Sequence, residues 1–117
     1  MTQHLPPSDV IDLSAERFIV FCGTHTSPWV YTDEPYKMDR KAVIDLIASE
    51  ASKLRSLHSV VGFTVGGPCR DQTREIMQEV SNRWAHQGEP LTYWQYHLVE
   101  LVLGTRVARS FVCHEVA

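Results

Sequence analysis

The chain has 117 residues, of which 44% are hydrophobic and 21% charged, with a formal net charge of −3 and a sequence pI near 6.0. This length predicts one domain with its own core, because a chain of this size buries roughly two-thirds of its unfolded surface on folding. The acidic balance argues against broad nucleic-acid binding, which requires a basic surface.

Cysteine usage and hydropathy favour a cytoplasmic protein. Cys22, Cys69 and Cys113 are widely spaced and form no CxxC pair, which argues against a disulfide framework and a zinc ribbon. No apolar run approaches the ~18 residues of a membrane helix, so we expect no membrane association. The first residues also lack the basic and apolar regions of a signal peptide.

The first predicted elements are a strand and a helix. We expect residues 1–14 to form a flexible arm and residues 15–117 to form a single α/β domain. The nearly continuous apolar run over residues 17–22 predicts a strand covered on both faces. A helix is predicted from Arg40 to about Leu57, with Asp39 as its N-cap. Its apolar positions recur at helical spacing, at Val43, Ile44, Ile47, Ala51 and Leu54.

A second strand is predicted over residues 58–65, which would complete a strand–helix–strand unit with parallel strands. Pro68 suits the first turn of a second helix, since its missing N–H has no helical partner there. This helix is expected to run to about Gln87 and to stop at Gly88.

The C-terminal third supports two interpretations. Thr92 and Gln95 have the spacing of a capping box, which predicts a helix. Gly104 and Thr105 suit a type II′ turn, which would place Glu100 opposite Arg109 across a hairpin. We favour the hairpin. The predicted fold is therefore strand–helix–strand–helix followed by a C-terminal β-hairpin, in a mixed sheet with helices packed on it, and the alternative is a helical C-terminal third.

Two loops that follow the predicted strands are expected to form a ligand site. In a parallel sheet both loops lie at the carboxyl edge, where open α/β sheets bind ligands. Gly66 and Gly67 permit close approach of a ligand, and Arg70 can hold a phosphate or carboxylate through two hydrogen bonds. The predicted ligand-binding residues are Thr24, His25, Thr26, Ser27, Gly66, Gly67, Cys69 and Arg70.

None of these residues has the spacing of a specific catalytic or phosphate-binding motif. The Gly-Gly-Pro turn matches neither GxxxxGK[ST] nor GxGxxG. Cys69 is expected at a helix start, but Glu75 stands where a phosphatase loop requires an arginine. His25 has no identified carboxylate partner. The histidine and cysteine spacings indicate no metal site, and no particular cofactor is indicated.

Two functions follow, with an enzyme as a third and less favoured alternative. The leading hypothesis is a small binding or regulatory domain that takes an anionic small molecule or a nucleotide at the carboxyl edge of its strands. The other is a non-catalytic interaction protein, an adaptor or inhibitor that forms a homodimer. It would use residues 28–36, with Trp29, Tyr31 and Tyr36, and the edge of the C-terminal hairpin.

Overall fold

A four-stranded antiparallel sheet with helices confirms the α/β class. The structure is a computed structural model that describes residues 15–112, so the expected arm over residues 1–14 lies outside the described residues, as do Cys113 and His114. The strands are β1 Arg17–Gly23, β2 Pro28–Val30, β3 Leu57–Phe63 and β4 Arg70–Asp71, in the order β2-β1-β3-β4. The helices are α1 Arg40–Ser49, α2 Thr73–Gln87, α3 Tyr93–Leu103 and α4 Thr105–Arg109.

β1 and β3 run antiparallel, so the predicted parallel unit and the mixed sheet are wrong. The reason is β2, which pairs antiparallel with β1 and returns the chain to the start of β1. There the amide of Phe18 donates to the carbonyl oxygen of Met38 at 2.9 Å. α1 then carries the chain back, and β3 begins with Leu57 opposite Cys22, at the far end of β1.

α1 begins where the sequence predicts and ends earlier. The Asp39 carboxylate accepts a hydrogen bond from the amide of Ala42 at 2.8 Å, which confirms the predicted N-cap. The regular helix stops at Ser49, and a 3₁₀ turn over Ala51–Lys53 follows it. The helical periodicity extends beyond Ser49 because residues of this turn also face the core.

α2 begins at Thr73, so Pro68 does not lie in its first turn as predicted. Between them the chain forms β4, and the Asp71 carboxylate accepts hydrogen bonds from the amide and the hydroxyl of Thr73. These bonds lower the pKa of Asp71. At the other end the prediction is confirmed, because Gly88 terminates the helix in the left-handed conformation with φ of 71°.

The C-terminal third is helical, so the predicted hairpin is wrong and the helical alternative is confirmed. Thr92 and Gln95 form the capping box at the start of α3, with both reciprocal hydrogen bonds present. Gly104, expected in a hairpin turn, instead joins α3 to α4. No helix in the described part of the chain is long and apolar enough to cross a membrane.

The helices and one face of the sheet enclose the core. Phe18, Val20 and Cys22 alternate along β1 and are fully buried. They share one cluster with buried residues of all four helices, including Ile47, Ile76, Leu98 and Ala108. The opposite face of the sheet contributes no member to this cluster among residues 15–112.

Candidate functional site

The two loops predicted to form one ligand site lie at opposite ends of the sheet. Because β1 and β3 are antiparallel, the loop after Gly23 lies near Leu57, and the loop after Phe63 lies near Arg17. The seven residues of β1 separate these ends by about 20 Å at the usual rise of a strand. The expected shared edge is therefore wrong. Ligand binding by either loop alone stays a prediction.

Residues 24–27 form the exposed turn of the β1–β2 hairpin. The Thr24 hydroxyl accepts a hydrogen bond from the amide of Ser27 at 3.1 Å and lies 3.4 Å from the Thr26 hydroxyl. The His25 ring stacks on the ring of His58, with 6.1 Å between their centroids. These contacts are those of a turn that satisfies its own polar groups.

Residues 64–69 form the loop of the β3–β4 hairpin. The amide of Gly67 donates to the carbonyl oxygen of Thr64 at 3.1 Å. Between them Gly66 has φ of 80°, which is typical of the third residue of a type II turn. Cys69 is exposed and comes four positions before the start of α2, so it does not lie at a helix N-terminus as predicted.

Arg70 contacts a carboxylate of its own chain. Its Nη2 atom lies 3.3 Å from Oε2 of Glu16, and the same oxygen accepts a short hydrogen bond from Nε2 of the Gln72 side chain. The Arg70 side chain is mostly exposed, so this ion pair is weak. An anion at Arg70 would nevertheless have to bind beside the Glu16 carboxylate.

The sheet face turned away from the helices carries an apolar patch that the sequence interpretation missed. Ile19 and Phe21 alternate with the buried residues of β1 and therefore point to this face. Val61 lies opposite Ile19, and Val30 lies opposite Phe21. Phe63, next to the inward-facing Gly62, completes the set. We call Ile19, Phe21, Val30, Val61 and Phe63 the outer sheet face.

The sequence signal for this patch is the lack of alternation along residues 17–22 and 60–63. For residues 17–22 this pattern predicts a strand covered on both faces. In the described part of the chain the helices contribute to a core on one side only. Both faces are apolar, but one is partly exposed rather than covered by a second layer.

The three aromatic residues predicted for interaction have different environments. Trp29 and Tyr36 are exposed, at 52% and 47% of their surface. Tyr31 is partly buried against the core, and its hydroxyl donates to Oε1 of Glu50 at 2.8 Å. Two of the three are therefore available at the surface, and the third is a structural contact between the β2 segment and the end of α1.

A pocket of about 480 Å³ lies between residues 31–38 and the C-terminal half of α1. Residues 31–38 are hydrogen-bonded to β1 at both ends. The amide of Tyr31 donates to the carbonyl oxygen of Val20 at 2.7 Å, and the carbonyl oxygen of Met38 accepts from the amide of Phe18 at 2.9 Å. Residues 32–37 leave the strand edge between these two bonds. They face the end of α1 across the pocket, which we call the Thr32 pocket. Its walls include Thr32, Asp33, Glu34, Met38, Leu46 and Glu50.

Ionisation of Tyr31 is expected to destabilise the domain at alkaline pH. Burial raises the pKa of its hydroxyl to about 12, and the bond to the Glu50 carboxylate acts in the same direction. An unfolded tyrosine ionises near pH 10, so the unfolded state loses its proton first. The free energy of unfolding is therefore expected to fall as pH rises from about 10 toward 12.

Urea unfolding of wild type and Tyr31→Phe across this pH range isolates the effect, because the other tyrosines are common to both proteins. We expect the pH-dependent loss of stability to be smaller in the variant. Equal slopes in the two proteins would show that Tyr31 ionises alike in the folded and unfolded states.

Comparisons with known proteins identify no relative of this chain. No protein-family model, curated protein or solved structure gives a significant match to this chain.

Proposed function

We propose that this chain is a non-catalytic interaction domain that associates with a second copy of itself through the outer sheet face. The observation that supports this most directly is the set of cross-strand apolar side chains on that face, which lie outside the core. Val30 is 51% exposed and the other four side chains are partly buried, so each would gain only part of the roughly 1.5–3 kcal/mol that full burial of a large apolar side chain contributes. Two such faces packed against each other would form the inner layer of a β-sandwich, with Arg17 and Asp71, the register partners of Phe63 and Val61, on the same face.

The short edge strands favour association by the face rather than by the edge. β2 has three residues and β4 has two. A partner strand added to either would gain few backbone hydrogen bonds, and short edge strands are a common protection against such pairing. The hairpin edge that the sequence suggested as a contact does not exist, because that segment is helical.

The size of the face predicts a weak, reversible dimer. The strands have seven, three, seven and two residues and together span a face of about 300 Å². A standard stable interface takes about 800 Å² from each partner. The backbone of Tyr36 lies near this face, because its carbonyl oxygen accepts from Nε of Arg17 at the start of β1, and its side chain is 47% exposed.

A cytoplasmic location is part of the proposal, since Cys22 and Cys69 are free thiols. The rival function, binding of an anionic small molecule or nucleotide, stays a prediction for each loop separately. It has lost its main structural argument, because the loops share no edge.

The test is sedimentation velocity over a range of protein concentrations, with Val61→Lys and Leu101→Lys as a matched pair. Val61 lies on the outer sheet face, whereas Leu101 is 51% exposed on α3. We expect wild type and Leu101→Lys to associate as concentration rises. Val61→Lys should raise the dissociation constant by about tenfold or more, because the ammonium would enter an apolar interface.

Circular dichroism and urea unfolding establish that both variants retain the fold. A wild type that sediments as a monomer throughout would overturn the proposal. So would a Val61→Lys variant that associates as wild type does.

A further inference from the structure

The outer sheet face carries a charged side chain of each sign. Arg17 follows the same alternation along β1 as Ile19 and Phe21, and Asp71 lies opposite Val61 on β4. Both residues therefore point to the side of the sheet that is turned away from the helices. A second copy that packs on this face covers one guanidinium group and one carboxylate.

Arg17 and Asp71 do not neutralise each other within one chain. β3 lies between β1 and β4, which places the two backbones about 10 Å apart across the sheet. The register adds an offset along the strands, because Arg17 pairs with Phe63 and Asp71 pairs with Val61. Among residues 15–112, neither Arg17 nor Asp71 takes part in an ion pair.

Both charged groups are held in place by uncharged partners and keep one atom free. Nε and Nη1 of Arg17 donate to the carbonyl oxygens of Tyr36 and Glu16, at 2.9 and 3.2 Å. Oδ1 of Asp71 accepts both hydrogen bonds from Thr73. Within the described part of the chain, Nη2 of Arg17 and Oδ2 of Asp71 make no hydrogen bond. Each is available to a partner of opposite charge.

A second copy of the chain supplies that partner. Covering either charge alone is costly, because a desolvated ion needs an opposite charge beside it. In a two-fold symmetric dimer every contact occurs twice, so a contact of Arg17 with the partner's Asp71 also brings Asp71 to the partner's Arg17. One arrangement of the copies therefore pairs all four charges.

The positions of the two residues also determine the symmetry axis. When two faces pack against each other, two points on the face exchange places about the axis in its plane that bisects the line between them. Arg17 is level with Phe63 and Asp71 is level with Val61, on the two strands that flank β3. The axis that exchanges them crosses β3 near Gly62.

From these observations we propose that two reciprocal ion pairs orient the dimer, Arg17 of each copy with Asp71 of the other, about a two-fold axis near Gly62. This inference rests on the proposed self-association and specifies how the copies are arranged. Val61 and Phe63 flank Gly62 and point to the outer sheet face, so they pack against the partner next to the axis.

The test reverses the charge at each position and then mixes the two variants. Arg17→Glu and Asp71→Arg each place like charges opposite one another in a homodimer. In sedimentation velocity at low salt, we expect each variant to have a dissociation constant about tenfold or more above that of wild type. An equimolar mixture should associate again, because the introduced glutamate meets the introduced arginine and the second pair is native.

The matched controls are Arg106→Glu and Glu75→Arg, which make the same changes of charge at exposed positions of α4 and α2. Both should associate as wild type does, and mixing them should add nothing. Circular dichroism verifies that every variant retains the fold.

Asp71→Asn provides a second route if Asp71→Arg does not fold, because asparagine keeps an oxygen that can accept the hydrogen bonds from Thr73. It is combined with Arg17→Gln in a double-mutant cycle. Each single variant is expected to associate about tenfold more weakly, since it leaves one charge without a partner. The double variant should associate no more weakly than either single variant.

The outcomes separate this inference from the proposed function. A wild type that stays monomeric would refute self-association, and the ion pairs with it. If wild type associates but the mixture of folded charge-reversal variants stays as weak as its components, the ion pairs alone are refuted. Losses from Arg17→Gln and Asp71→Asn that simply add in the double variant would refute them as well.

Discussion

Leu98→Ala is expected to lower the free energy of unfolding by about 2–5 kcal/mol, the cost of emptying a well-packed core site. Leu98 is fully buried on α3, in the cluster that joins this helix to the sheet. Urea unfolding measures the loss. The effect is expected to be large because the removed methyl groups leave a cavity that the surrounding helices fill only in part.

Leu101→Ala is the matched control, since Leu101 lies on the same helix and is 51% exposed. Its effect is expected to stay within about 0.5 kcal/mol, as for most surface positions. Val99→Ala should be costly too, because Val99 is as buried as Leu98. A strand would point these neighbours to opposite faces. A harmless Leu98→Ala, or a costly Leu101→Ala, would contradict the packing of α3.

Gly23→Ala is expected to destabilise the domain by about 3 kcal/mol, through backbone strain and a steric clash. Gly23 has φ of 104°, a backbone conformation that residues with a Cβ atom rarely adopt. An added Cβ atom would also lie 2.6 Å from the carbonyl oxygen of Ser27, a backbone atom that cannot move without opening the hairpin. Urea unfolding again provides the measurement.

Gly66→Ala separates the two causes. Gly66 also has a positive φ, of 80°, but an added Cβ there would meet nothing within 4 Å. Its cost is expected to be about 1–2 kcal/mol, from the backbone conformation alone. If both variants lose the same stability, the contact with Ser27 has no effect on the folded state.

The features that the sequence predicted correctly are those determined by neighbouring residues. Asp39 caps α1, and Gly88 ends α2, because each motif is complete within a few positions of the chain. Strand direction is not such a feature. Whether β3 runs parallel to β1 depends on the return of the chain through β2, and three residues give too short a pattern to predict a strand.

The C-terminal third shows how two local signals compete. The match of Glu100 with Arg109 suited a hairpin, whereas Thr92 and Gln95 suited a helix. The helical form buries Leu98, Val99 and Leu103 on one side, which a strand cannot do with adjacent residues. Burial of that face therefore outweighs the strand preference of the aromatic and β-branched residues.

The candidate sites were predicted only in part for the same reason. Residues 28–36 stood out by composition, and the Thr32 pocket does lie beside them. The burial of Thr32 and the approach of Glu50 depend on contacts between distant parts of the chain. The pocket was consequently missed, and the sequence directed attention to the glycines of the β3–β4 loop instead.

The excursion of residues 32–37 has an evolutionary consequence. The chain leaves the edge of β1 after Tyr31 and rejoins it at Met38. Its two contact points on β1, Val20 and Phe18, are only two residues apart. Since both anchor points lie on one strand, length changes within the excursion leave the register of the sheet intact. Insertions and deletions between Tyr31 and Met38 are therefore expected to change the size of the pocket while the strands that hold the core keep their pairing.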